Sequence, residues 1–139
     1  RFTKLYVINF HKKNLGIDLL NSKFLNISLI WNEGIAFGLF SFDKELFYNI
    51  LTLIIFLVIL IIFFMIKNTY GLKKYALLMI FGGALGNFYD RIVFSAVPDF
   101  IDLHINNFHW FIFNVADIFI TLGVIIMIMT EFFSKKVDK

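Results

Sequence analysis

Residues 46–66, LFYNILTLIIFLVILIIFFMI, carry no charged side chain, and this run limits what the chain can become more than any other stretch. At a rise of about 1.5 Å per residue, a helix of this length covers roughly 30 Å, the hydrocarbon depth of a bilayer. Residues 75–94 form a second span that opens apolar and turns polar at its far end, and residues 113–133 form a third that is apolar after its first turn. With 60% hydrophobic residues and 20 Phe in 139, a soluble domain is excluded. One Pro and eight Gly leave little room for flexible linkers, so residues 1–139 read as a single integral-membrane domain. Cysteine is absent, which removes disulfides, thiolate metal sites and a Cys nucleophile together. The net charge of +3 comes without a basic block interleaved with exposed aromatics, and nucleic acid is set aside as a partner.

The lysines orient the spans. Lys67, Lys73 and Lys74 lie between the first two, and Lys135, Lys136 and Lys139 follow the third. The positive-inside rule places residues 67–74 and the tail from 135 in the cytoplasm, with Lys73 and Lys139 inside. The 14–44 segment and the 94–112 loop then face outward together, with Ser22 and Asn107 as markers. Lys12, Lys13, Lys23 and Lys44 run against this rule. Residues 1–13 read either as the outer end of a truncated helix whose body lies upstream or as a frayed terminal segment. Within 14–44, the β-branched and aromatic run FLNISLIW (24–31), the turn Asn32-Glu33-Gly34 and the apolar run 35–42 predict two or three short strands in a hairpin or cradle. Gly38 inside such a strand suggests a bulge or a close backbone approach.

Ionisable groups beside membrane-length apolar segments are costly and persist where they have partners or a task. Four acids fall in residues 82–117: Asp90, Asp99, Asp102 and Asp117. Gly82 and Gly86 form a small-x-x-x-small pair for helix packing, widened by Gly83 and Ala84. Asn87 and Arg91 share a helix face one turn further on, with Asp90 three residues from Asn87. A helix end held by ion pairs, with Arg91 reaching toward lipid phosphates, accounts for Asp90 and Arg91 without further function. Pro98 makes the chain extended as it enters Asp99. Asn114 followed three residues later by Asp117 has the form of a helix start, and capping by itself explains that pair. Turn formation likewise explains Asn32 and Gly34.

The chemistry open to these groups is limited. Asp99, Asp102, His104, His109 and Asp117 are potential oxygen and nitrogen ligands, but no H-x-x-x-H or H-E-x-x-H spacing preorganises zinc, and neither metal nor cofactor is expected. Ser95 lacks a G-x-S-x-G setting. A pair of carboxylates remains: two acids held close share a proton, one taking a proton from water while the other donates one to a carbonyl or leaving amine. A non-enzymatic transporter or assembly subunit, using carboxylates to handle protons or ions, is the competing class. Transporters place such charges near mid-membrane in paired repeats, whereas here the acids gather at one surface and no repeat is visible.

Four runs, Asn32-Glu33-Gly34-Ile35-Ala36-Phe37-Gly38, Gly86-Asn87-Phe88-Tyr89-Asp90-Arg91, Val97-Pro98-Asp99-Phe100 and Phe113-Asn114-Val115-Ala116-Asp117, resemble in order the motifs of bacterial lipoprotein signal peptidase, or signal peptidase II. The resemblance covers nearly the whole chain. It implies a membrane all-α bundle of four transmembrane helices, the first largely missing here, with a small extracytoplasmic β-cradle. It also implies an aspartic endopeptidase of the inner membrane that cuts signal peptides from diacylglyceryl-modified prolipoproteins. By motif, Asp99 and Asp117 are the implied catalytic pair, and Asn32, Gly34, Gly86, Asn87, Arg91 and Asn114 line or brace the site. Lipid-modified signal peptides and membrane phospholipid are the implied partners, the chain acting as a monomer with its site at the outer face. Pro98 replaces a usual aliphatic residue, and Phe111-Ile112 a usual Pro-Ala. Lys4 matches only the tail of the Asp-Gln-x-x-Lys-type motif on the family's first helix.

Overall fold

The computed structural model describes residues 1–34, 44–106 and 108–137. In chain order these form α1 (Phe2–Lys13), β1 (Leu20–Asn21), β2 (Leu25–Asn32), α2 (Lys44–Lys67), α3 (Gly71–Phe94), β3 (Val97–Ile105), β4 (Phe108–Phe113) and α4 (Val115–Val137). The strand expected over 35–42, with Gly38, lies outside the described residues, as do Asn107 and Lys139. The chain divides into two compact units, Arg1–Ser41 with Asp90–Val115, and Phe42–Tyr89 with Ala116–Lys139.

The second unit holds α2, most of α3 and α4. Among the described residues, three helices are long and apolar enough to cross a membrane: Glu45–Lys67, Gly71–Phe94 and Val115–Phe133. Their large side chains point outward, with Leu53 57%, Phe64 59% and Phe132 74% exposed. An apolar exterior of this extent marks a surface made for lipid. Phe56 stacks on Phe88, and Phe63 approaches Phe81 with ring centroids 6.0 Å apart, joining α2 to α3. α3 and α4 pack antiparallel. A Cβ at Gly83 would lie 2.6 Å from the Ala116 carbonyl oxygen and 2.7 Å from Ile120, and one at Gly123 would lie 2.6 Å from Ile80 and 2.7 Å from the Ala76 carbonyl. Small residues of this kind let helix backbones touch in lipid, where no hydrophobic force drives them together. The packing pair expected at Gly82 and Gly86 is not what joins α3 to α4: among the described residues, a Cβ at either position meets nothing within 4 Å. The difference is rotation, since Gly83 is the glycine turned toward α4.

The first unit packs α1 against a four-stranded antiparallel sheet of order β1-β2-β3-β4, along β2 and β3. The expected outer loop over 94–112 is instead the β3–β4 hairpin, which supplies half of the sheet's strands. Pro98 fits because β4 pairs with β3 only from Ile101 onward, leaving Pro98 one neighbouring strand, β2. Both ladders of β3 carry an irregularity, one between Ile27 and Ile30 of β2, the other beside Leu103 and His104. Such bulges re-aim side chains at the strand they face. The interior of this unit is rich in polar groups: Lys4, Asp90, Asp99, Asp102, His104 and Asn114 are all buried.

Candidate active site

Asp99 sits on β3 with its Cα opposite Ile30 of β2. Its carboxylate is buried and each oxygen receives an amide N–H: Asn32 Nδ2 donates to Oδ2 at 2.9 Å, and Asn114 Nδ2 to Oδ1 at 2.7 Å. Asn32 reaches it diagonally across the β2–β3 ladder, from the position paired with Val97. Asn114 reaches it from the single residue between β4 and α4. Asn32 is held in turn: its Oδ1 accepts the Gly34 N–H at 2.8 Å, closing an Asx-turn in which Gly34 adopts φ +77°. That left-handed conformation suits glycine and strains other residues, so one turn motif both ends β2 and aims the Asn32 amide. Ile30, Trp31, Asn32, Glu33, Asp99 and Ile112 line a cavity of about 360 Å³.

Asp117 occupies the first turn of α4, where the positive end of the helix dipole favours an acid. Asn87 Nδ2, on α3, donates to Asp117 Oδ1 at 2.7 Å. The contact follows from the glycine packing described above, because Asn87 is one helical turn beyond Gly83 and Asp117 follows Ala116. Gly86, adjacent to Asn87, has no atom of another described residue within 4 Å of where a Cβ would stand.

Asp90 is bound differently. It is fully buried and forms ion pairs with Lys4 Nζ of α1, at 2.6 Å, and with the guanidinium of Arg1, the residue that precedes α1. The ion-paired helix end expected of Asp90 is present, with its partners on another helix. Arg91 buries its Nε and Nη1 atoms, where the sequence suggested reach toward lipid phosphates. Asp102, expected in the outer loop, is a buried residue of β3 and accepts the hydrogen bond of His109 Nδ1 at 2.8 Å. The Lys4–Asp90 pair has no short-range signature, since its members are 86 residues apart, whereas Asp102 and His109 meet across the β3–β4 hairpin.

These features define a helical integral-membrane protein in which Asp90 pairs with cations, Asp102 with His109, and Asp99 and Asp117 each accept hydrogen bonds from carboxamides. The family model described as Signal peptidase (SPase) II matches residues 1–133. Lipoprotein signal peptidase of Pelagibacter ubique (strain HTCC1062) is 53% identical, over 96% of this chain and 80% of its own. That of Francisella tularensis subsp. novicida (strain U112) is 42% identical, over 83% of this chain and 74% of its own. A bacterial membrane enzyme solved by the in meso method superimposes on 99% of this chain and 87% of its own, with TM-score 0.70 and 33% identity. A second such structure covers 91% and 88%, with TM-score 0.63 and 35% identity. The chain belongs to the signal peptidase II family.

Proposed function

We propose that this protein is an aspartic endopeptidase that removes signal peptides from diacylglyceryl-modified prolipoproteins at the outer face of the bacterial inner membrane. Asp99 and Asp117 are the catalytic pair. The observation that carries this reading is the set of carboxamides aimed at these two acids: Asn32 and Asn114 donate to the two oxygens of Asp99, and Asn87 donates to Asp117. A carboxamide N–H fixes the direction in which a carboxylate oxygen points without adding net charge to the site. A pair that must pass one proton between water and substrate needs its oxygens held within hydrogen-bond reach of the reacting atoms.

In the reaction, the ionised member takes a proton from water as the water oxygen attacks the scissile carbonyl. The protonated member gives its proton to the carbonyl oxygen. Collapse of the tetrahedral intermediate breaks the C–N bond, and the departing amine takes up the proton first removed from water. No cofactor enters these steps. Asn32, Asn87 and Asn114 position the acids, Gly34 supports the Asn32 turn, and Gly86 and Arg91 line the surface met by substrate. The signal helix and acyl chains lie against apolar flanks beside membrane phospholipid, and a monomer suffices.

The test is a gel-shift cleavage assay on purified, folded Asp99→Asn and Asp117→Asn variants with a lipid-modified prolipoprotein. Acid–base assistance is worth about 10²–10⁴-fold, and since both roles use one proton, either single variant should fall nearly as far as the double. Near wild-type turnover in either variant would overturn the assignment. A wild-type protein that leaves the peptide whole would favour the transporter class instead.

A further inference from the structure

Three side chains play no part in the proposed reaction yet converge on the β3–β4 hairpin: Asp102, His104 and His109. Asp102 and His104 are two apart on β3 and so share a sheet face. The ladder pairs Leu103 with Phe111 but His104 with His109, so β4 carries one extra residue at this point. That bulge brings His109 directly opposite His104, and the two imidazoles lie with ring centroids 5.3 Å apart. One ligating atom from each of the three residues lies within 4.8 Å of the other two.

We propose that Asp102, His104 and His109 bind one divalent transition-metal ion of the zinc class. Three observations support this. First, His104 is only 9% exposed, and its Nδ1 has no hydrogen-bond partner among the described residues although it lies 3.9 Å from Asp102 Oδ2. Buried polar nitrogens are nearly always satisfied, and this one is turned toward the other two donors. Second, the spacing suits a small tetrahedral ion. Ligand atoms about 2.0–2.1 Å from zinc stand roughly 3.3 Å from each other. The separations from Asp102 Oδ2, 2.8 Å to His109 Nδ1 and 3.9 Å to His104 Nδ1, straddle that value. Third, the His109 side chain is 53% exposed, giving an ion a way in and leaving a coordination position for water. Two imidazoles and one carboxylate suit zinc, copper or nickel, whereas calcium and magnesium favour oxygen ligands alone. On binding, the ion replaces the Asp102–His109 hydrogen bond and releases any proton that bond carries.

The ion would tie the end of β3 to the start of β4. It does not join the peptidase chemistry, because Asp99 is three residues from Asp102 on the same strand and so points to the opposite sheet face.

The test uses the whole protein in detergent, stripped with chelator and titrated with Co²⁺, read by its visible ligand-field absorption, and with Zn²⁺, read by equilibrium dialysis. One ion per chain is expected, with a Co²⁺ spectrum of low-coordinate nitrogen and oxygen ligation. Loss of even an outer partner costs metal sites about 10–100-fold in affinity, so His104→Gln and His109→Gln should each weaken binding by about tenfold or more. The chain has three His, and His11→Gln should bind as wild type. His109 is exposed, so its variant keeps the proposal testable if His104→Gln fails to fold. Absence of stoichiometric binding, or wild-type affinity in folded His109→Gln, would overturn the proposal and leave a hydrogen-bonded triad completed by water. Signal-peptide cleavage by the stripped protein separates this outcome from failure of the peptidase reading.

Discussion

At the scale of single residues, an acid's partner decides what it does. Lys4 and Asp90 are both buried, so removing one takes a close counter-charge from the other; such losses reach about 3–5 kcal/mol in buried pairs, and for Asp90 the Arg1 ion pair offsets part of it. Lys4→Met and Asp90→Asn should therefore lower the thermal midpoint in detergent, and the double variant Lys4→Met/Asp90→Leu should recover much of the loss. Arg1 limits the penalty in that double variant, since its side chain is 35% exposed and reaches water. Correctly folded Asp90→Asn should still cleave, in contrast to Asp99→Asn. Unchanged stability in both single variants would show that the pair is not structural. Asp90 and Asp99 share a side chain and a motif-rich neighbourhood, and nothing local to either states that one meets lysine and the other asparagine.

At the scale of elements, the α3–α4 pair turns on which glycine faces the neighbour. A side chain at Gly83 must displace the Ala116 carbonyl, which is backbone and cannot swing aside. Gly83→Leu is expected to separate the helices, cost about 1–3 kcal/mol or more as an overpacked contact, and break the Asn87–Asp117 hydrogen bond one turn away. Gly86→Leu enters open space, so its stability should match wild type while cleavage falls through weaker substrate binding. Thermal shift and steady-state kinetics on the two variants check both. Equal loss of stability would refute the distinction. The β3–β4 hairpin gives the same lesson for strands. Apolar residues flank Asn106-Asn107, a hairpin signal. Asn106 does take the left-handed φ of +53° that such turns use. The acids and histidines on either side obscure the strand pattern, so the segment reads as a loop.

For the whole molecule, the expected orientation has a direct check because the chain has no cysteine. Lys73→Cys and Ser22→Cys should label from opposite sides of the membrane with an impermeant thiol reagent. The Lys73–Glu131 ion pair is solvent-exposed and worth little, so its loss should not disturb the fold. Labelling of both sites from one side would refute the topology. Chelator sensitivity gives an independent check on the chemistry. Cleavage should persist in EDTA, because the proposed acids activate water themselves and the proposed hairpin ion lies on the other face of β3. Loss of turnover in EDTA, restored by a divalent ion, would move the metal into the reaction.

What the amino-acid sequence determined by itself was the class of protein, the membrane-length segments and the positions of the candidate acids. Membrane insertion depends on length and apolarity along the chain, and both are one-dimensional quantities; residues 46–66 alone demand a span of lipid. Only the tertiary structure decided which partner each acid has. Asn32 and Asp99 are 67 residues apart, and Lys4 and Asp90 are 86 apart. Their meeting depends on strand register and helix packing, where one bulge or one step of rotation changes every contact. The same holds for Gly83 in place of Gly82 and Gly86, and for His109 opposite His104. Spacing along a single helix or strand is local, but a site assembled across a ladder depends on the pairing of two segments, which the fold as a whole sets.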